Sequence, residues 1–167
     1  MTSEFMRDLL SKDEKITVEY KTCQFGIQED VYETVCSFSN RYGGYIIMGA
    51  GDDGTPIGVK QNMVKDMKRN FVNQLNNPDK MSPTLYLSIE DIVYEGMTLL
   101  WVYVPPTSTV EKCANRIYDR NEDGDMDITD SPIQLQNMYN RKSNTYAEHK
   151  IFPYVTCLLY TSDAADE

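Results

Sequence analysis

The sequence predicts a single α+β domain, built from a mixed β-sheet with hairpins and two to four flanking helices. Residues 45–48 (Tyr-Ile-Ile-Met) form a continuous apolar run, which is typical of a strand buried on both faces. Residues 85–94 and 97–104 are strand-like runs joined by Glu95-Gly96, a pattern typical of a hairpin. Strands alternate with helices early in the chain and pair as hairpins later, and this order favours a mixed sheet.

Helices are predicted where apolar residues recur at helical spacing. The predicted ranges are 3–11, 28–41, 62–75 and 131–149. Gly43 lies just beyond the second helix, where a glycine suits a helix C-terminus. Asn62 is the predicted N-cap of the third helix, and Ser131-Pro132 is expected to start the fourth.

Three shorter segments are also predicted to be strands. Residues 15–23 alternate between apolar and polar side chains, as a half-buried strand does. A turn at Asp52-Asp53-Gly54 is expected to lead into a strand at residues 55–59. Residues 115–118 form the third predicted segment.

The glycine-rich stretch 49–54 fits the GxGxxG pattern of dinucleotide-binding folds. In those folds a helix follows the glycines, and its N-terminal amides hold the pyrophosphate. Here a turn and a predicted strand follow, and Asp52 and Asp53 would repel phosphates. The sequence therefore argues against a dinucleotide site.

Composition favours a cytoplasmic protein, since the four cysteines are scattered without a CxxC pair. The sequence shows no pattern of a signal peptide, and no apolar run approaches the ~20 residues that a membrane span needs. The formal net charge of −10 does not attract a phosphate backbone. Nucleic-acid binding would therefore need a local basic patch or a bridging metal ion. The sequence leaves a homo-oligomer open.

The end of the chain differs in character from the rest. Residues 157–167 resemble the translation of a transposon-type sequencing adapter. We therefore expect the domain to span residues 1–150, with residues 151–156 beginning a downstream region and residues 157–167 representing adapter read-through.

Three carboxylates are candidates for one metal site. Glu14 and Glu19 flank the start of the first predicted strand, and Asp52 follows the neighbouring strand. Carboxylate oxygens are the ligands that Mg²⁺ or Mn²⁺ prefers, and such a site can activate water beside a phosphate. Lys21 shares a strand face with Glu19 and could touch a phosphate. The structural alternative is that Glu19 and Lys21 solvate one sheet face while Asp52 shapes a turn.

These residues belong to a longer pattern of an early Glu, a Glu-aromatic-Lys strand, a helix ending in Asn and a glycine-rich hairpin. The pattern comprises Glu14, Glu19-Tyr20-Lys21, Ser37-Phe38-Ser39-Asn40, Gly43-Gly44, Gly49, Asp52, Gly54 and Gly58. It resembles the Schlafen-type Alba-like DNA-binding domain, also known as a divergent AAA domain. The resemblance extends more loosely to Ile117-Tyr118-Asp119-Arg120.

The resemblance implies a nucleic-acid-binding domain, DNA or RNA, at the N-terminal part of a larger transcriptional-regulator-like protein. Lys21, Tyr42, Arg120 and Arg141 are the candidate contacts. In animal Schlafens the corresponding acidic positions form a metal-dependent endoribonuclease site. That alternative assigns catalysis and Mg²⁺ or Mn²⁺ binding to Glu14, Glu19 and Asp52.

A second acidic segment, residues 119–130, fits the spacing of a calcium loop. Its oxygen ligands would be Asp119, Asn121, Asp123, Asp127 and Asp130. However, a strand precedes the segment where an EF-hand has a helix, and Asp130 replaces the usual bidentate Glu. The context therefore favours a solvated acidic turn. A protein-interaction or calcium-stabilised scaffold remains the third functional alternative.

Overall fold

A computed structural model describes residues 1–11 and 16–144. The helices are α1 (Ser3–Leu10), α2 (Glu29–Asn40), α3 (Val64–Leu75), which follows a 3₁₀ turn at Gln61–Met63, and α4 (132–144). The strands are β1 (Val18–Lys21), β2 (Gly44–Met48), β3 (Met81–Ser82), β4 (Ile89–Tyr94), β5 (Met97–Val104), β6 (Lys112–Cys113), β7 (Tyr118–Asn121) and β8 (Gly124–Asp127). In the described ranges, no helix combines the length and the apolar character needed to cross a membrane.

The main sheet has the strand order β1-β2-β5-β4. β1 and β2 are parallel and are connected through α2, whereas β5 pairs antiparallel with both of its neighbours. Two small antiparallel pairs, β3-β6 and β7-β8, lie outside it. The predicted α+β class with a mixed sheet and hairpins is therefore confirmed.

The main sheet is covered on both faces. On the α2 face, Ile46 and Val102 belong to one core with α2 and α3, whose Phe38 and Phe71 are fully buried. On the opposite face, Ile47 and Leu99 pack in a second core with Met6 and Leu9 of α1. The Tyr20 hydroxyl also donates to the Leu9 carbonyl at 2.6 Å, which fastens α1 to β1. Burial on both sides explains the apolar run of β2.

The Gly43-Gly44 pair allows α2 to turn directly into β2. Gly43 has a φ of +72°, and a Cβ there would lie 2.5 Å from the Val104 carbonyl oxygen. A Cβ on Gly44 would lie 2.5 Å from the Thr17 carbonyl oxygen. Glycine is therefore required twice, once for the left-handed backbone and once for the close approach of the segment that leads into β1.

Several element boundaries differ from prediction. Residues 55–59 form only an isolated bridge, Ala50 to Pro56, instead of a strand. Ala114 and Asn115 form a turn with positive φ, Arg116 makes only an isolated bridge to Cys113, and β7 begins at Tyr118. The residue at the N-cap of α3 is Met63, without a side-chain cap bond, so the predicted Asn62 cap is wrong. Residues 151–167 lie outside the described ranges.

The other elements agree with prediction more closely, although β4 begins at Ile89, four residues after the predicted start, and β1 ends at Lys21, two residues before the predicted end. α1 and α2 match the predicted helices within two residues at each end. The β4-β5 hairpin turns at Glu95 and Gly96, whose φ values of 51° and 76° suit a tight hairpin turn.

Candidate nucleic-acid interface

Arg120 on β7 occupies the centre of a buried ionic network. Its guanidinium donates to the Glu19 carboxylate at 2.6 Å and to the Asp125 carboxylate at 2.7 Å. The same group lies 4.6 Å from the Phe38 ring centroid, and the side chain is 3% exposed. The sequence predicts that Arg120 contacts nucleic acid, but the structure places its side chain between the sheet, α2 and β8.

Asp125 fixes the β7-β8 hairpin onto α2. Its carboxylate accepts a hydrogen bond from the Thr34 hydroxyl at 2.6 Å and another from the Ser37 hydroxyl. Asn40, at the end of α2, donates to the carbonyl oxygens of Glu111 and Tyr118, each at 2.9 Å. Asn40, which ends the helix in the sequence pattern, therefore holds two later segments against α2.

Lys21 is also an internal partner. Its ammonium lies 3.0 Å from a Glu19 carboxylate oxygen and 2.7 Å from Asp30, and its side chain is 16% exposed. Burial lowers the pKa of Lys21, but the hydrogen bonds to Asp30 and Glu19 outweigh it and raise that pKa overall. The structure thus turns Lys21 towards acidic neighbours on the α2 face.

Tyr42 and Arg141, the other two candidates, lie together at the C-terminal end of α2. Tyr42 is 58% exposed, and the Arg41 guanidinium lies 5.7 Å from its ring centroid. Arg41 forms a two-pronged ion pair with Asp119, at 3.0 and 2.9 Å. Arg141 donates to the Asn40 carbonyl at 3.0 Å and approaches Asp119 at 3.4 Å. We call Arg41, Tyr42 and Arg141 the α2 C-terminal patch.

A buried lysine from α4 binds carbonyl oxygens at the C-terminal end of α2, next to this patch. The Lys142 ammonium donates to the carbonyl oxygens of Ser39, Thr107 and Thr109, at 3.1, 3.0 and 2.6 Å. Since α2 has no basic residue in its last turn, α4 supplies the positive charge that a helix C-terminus favours. Burial lowers the pKa of Lys142 to about 8, against the opposing effect of Glu111.

Two of these residues were missed by sequence reasoning. Arg41 directly precedes Tyr42, but its partner Asp119 is 78 positions away, and no local pattern in the sequence indicates that they pair. Glu111 is 1% exposed, and its Oε2 atom has no hydrogen-bond partner among the described residues. Burial raises the pKa of Glu111 to about 7, while the Lys142 charge opposes that rise.

The three-carboxylate site is only partly within the described ranges. Glu14 lies outside them, Glu19 is engaged by Arg120 and Lys21, and Asp52 is exposed in its turn. That turn packs towards α1, because Gly54 lies against the Leu10 carbonyl oxygen. Within residues 1–11 and 16–144, no three acidic, His or Cys side chains are grouped to hold a metal ion. The metal site therefore stays a prediction.

The five candidate calcium ligands lie on and beside the β7-β8 hairpin. Asp119 is 4% exposed and faces Arg41, whereas Asp127 pairs with Arg116. Asp130 also approaches Arg116, at 3.4 Å. The Asn121 side-chain oxygen accepts from the Asp123 backbone N–H at 2.9 Å, and this bond shapes the turn. Strand pairing directs these side chains to different partners, instead of around one point as in a calcium loop.

Comparisons with known proteins give the fold and family context. No curated protein matches the chain. The N-terminal domain of a Nitrosomonas europaea protein, named as related to the ATP-dependent DNA helicase RecG, matches at 26% identity with a TM-score of 0.50, covering 62% of this chain and 72% of that domain. The DIP2311 protein of Corynebacterium diphtheriae has a TM-score of 0.53 at 16% identity, covering 72% of this chain and 25% of its own length. The second likeness concerns the fold alone.

The family resemblance predicted from the sequence is confirmed. The sequence model of the family described as Schlafen, AlbA_2 matches residues 14–129, well over half of the chain. The match includes β1, α2, the glycine-rich turn and the β7-β8 hairpin. The chain therefore belongs to the Schlafen AlbA_2 family.

Proposed function

We propose that this domain binds nucleic acid through the α2 C-terminal patch, in the setting of a larger, cytoplasmic, regulator-like protein. The observation that carries the proposal is an exposed tyrosine ring beside Arg41, whose ion-pair partner Asp119 is also approached by Arg141. The RecG-related name of the Nitrosomonas protein supports a nucleic-acid connection, since its domain shares the fold.

The patch offers two kinds of contact. An exposed Tyr42 ring can stack on an unpaired base, and such stacking tolerates any sequence. Arg41 and Arg141 carry guanidinium groups that suit phosphate oxygens, and their side chains are 23% and 28% exposed. Asp119 neutralises part of their charge but also restrains both guanidiniums, so little side-chain entropy is lost on binding.

Single strands are the expected ligand class because bases inside a duplex cannot stack on a side chain. We would measure fluorescence anisotropy with labelled single-stranded RNA, single-stranded DNA and duplex DNA, using wild type and Tyr42→Ala. Loss of stacking is expected to weaken single-strand binding about 5- to 150-fold. Tyr86→Ala is the matched control, since Tyr86 is 86% exposed and lies in the segment before β4.

Two results would contradict the proposal. One is a wild-type chain that binds none of the three probes at low salt. The other is Tyr42→Ala binding as tightly as Tyr86→Ala, which would place any interface elsewhere on the surface.

A further inference from the structure

A second exposed aromatic–cation pair lies near the opposite end of α2. Phe25, in the loop between β1 and α2, is 65% exposed. The Lys60 ammonium lies 5.6 Å from its ring centroid. Lys60 has no ion-pair partner in the part of the chain that the structure describes. It therefore differs from Lys21 and Arg120, whose charges are used internally.

A cleft of about 300 Å³ adjoins this pair. Its lining includes Gln24, Gly58, Lys60, Gln61, Gly96 and Thr98. This position is at the carboxyl ends of the parallel strands β1 and β2, beside the β4-β5 turn. In open α/β sheets, ligands commonly bind outside the carboxyl ends of parallel strands.

Hydrogen bonds hold the walls of the cleft together. The Lys60 backbone N–H donates to the Gln24 carbonyl at 2.9 Å, and the Val59 N–H donates to the Thr98 carbonyl at 2.8 Å. The Thr98 hydroxyl donates to the Gln61 side-chain carbonyl at 2.7 Å. Two loops and the start of β5 are thereby joined, so the cleft is a preformed feature of the fold.

The polar groups of the cleft that have hydrogen-bonding capacity to spare suit a nucleotide. The Gln24 side-chain amide makes no hydrogen bond to any described residue, and the Gln61 amide retains its NH₂ donors. Paired donor and acceptor groups of this kind match the edge of a nucleobase. Phe25 offers a face for stacking, and the Lys60 ammonium can bind a phosphate. Gly96 adds no bulk, since even a Cβ there would meet nothing within 4 Å.

We propose that this cleft is a nucleotide subsite, in which Phe25 stacks on the base, Gln24 and Gln61 bind the base edge, and Lys60 binds the phosphate. The subsite lies beyond the α2 C-terminal patch, because the twelve residues of α2 separate the two by about 18 Å. Its ligand is either a free mononucleotide or one nucleotide of a single strand, since both present the same base and phosphate.

The test uses the full chain with two probes, adenosine monophosphate and a labelled single-stranded oligodeoxyadenylate. Phe25→Ala is expected to weaken binding of the recognised probe about 5- to 150-fold. Lys60→Gln is expected to weaken the same probe, whereas the controls Tyr86→Ala and Lys112→Gln are expected to bind like wild type. Lys112 is an exposed lysine on the distant strand β6. Phe25→Trp should still bind the recognised probe, and binding should quench the emission of the introduced tryptophan above the background of Trp101.

The outcomes separate this subsite from the proposed function. Adenosine monophosphate binding that requires Phe25 supports a free nucleotide as ligand, even if the chain binds no polymer. Oligonucleotide binding that requires Phe25, without binding of the monophosphate, supports a strand as ligand. Wild-type affinity of Phe25→Ala for both probes, or absence of binding to both, overturns the subsite. Oligonucleotide binding that depends on Tyr42 but not on Phe25 overturns the subsite and leaves the proposed function standing.

Discussion

Replacing Arg120 with methionine is expected to destabilise the folded domain strongly. The change removes a 3% exposed guanidinium that pairs with Glu19 and Asp125 and lies over the Phe38 ring. Breaking one side of a buried ion pair typically costs about 3–5 kcal/mol, because the partner charge stays buried. Lys21 still pairs with Glu19 in the variant, so we expect the lower end, about 3 kcal/mol.

The effect can be measured by urea and thermal unfolding, followed by circular dichroism and by the fluorescence of Trp101. A loss of about 3 kcal/mol corresponds to a fall in Tm of roughly 6–12 °C for a domain of this size. Arg69→Met is the matched control, because Arg69 is 64% exposed and pairs with Asp66 on the surface of α3. Its expected loss is below about 0.5 kcal/mol.

Equal stability of Arg120→Met and Arg69→Met would refute this reasoning. It would mean that the ionic network contributes little to folding and that Arg120 is not committed to an internal role. If such a stable variant also lost nucleic-acid binding, Arg120 would be a ligand contact, as the family resemblance suggested.

Two further predictions concern Glu111 and Glu19. Burial raises the pKa of Glu111 to about 7 from 4.5 despite Lys142, so the folded state keeps a proton that the unfolded chain releases. As the pH rises from 4.5 to 7, the free energy of unfolding of wild type should fall by on the order of 3 kcal/mol relative to that of Glu111→Gln. Urea unfolding across that pH range measures the difference. Parallel pH profiles of the two proteins would contradict the prediction. For Glu19, we expect no Mn²⁺-dependent cutting of RNA, because Arg120 and Lys21 already bind its carboxylate. Cutting by wild type that Glu19→Gln abolishes would instead establish the nuclease alternative.

The sequence predicted the sheet well wherever local chemistry determines structure. The apolar run of β2 is buried on both faces, and Glu95-Gly96 forms the expected hairpin turn. Gly43 has the left-handed backbone expected after α2. Residues 55–59 were misread because glycines on either side of the turn permit a single bridge without a continuous strand.

The site was harder to predict because its charges pair over long sequence separations. Glu19 and Arg120 are 101 positions apart, and Arg41 and Asp119 are 78 apart. A sequence shows that such residues are charged, but it does not show whether the fold brings an oppositely charged partner next to them. For this reason the sequence predicts Arg120 and Lys21 as nucleic-acid contacts on the surface and does not single out Arg41.

The internal use of these cations also bears on how an acidic domain could hold a phosphate backbone. Arg120 and Lys21 are each paired with two carboxylates, so they add little to the external field. In the described part of the chain, Arg41 and Lys60 lie near exposed aromatic rings, and Arg141 shares the partner Asp119 with Arg41. With about three phosphate contacts, log K for a single strand should fall with log salt at a slope of only about −2. Affinity would then depend mainly on stacking, and this explains how a net charge of −10 is compatible with binding.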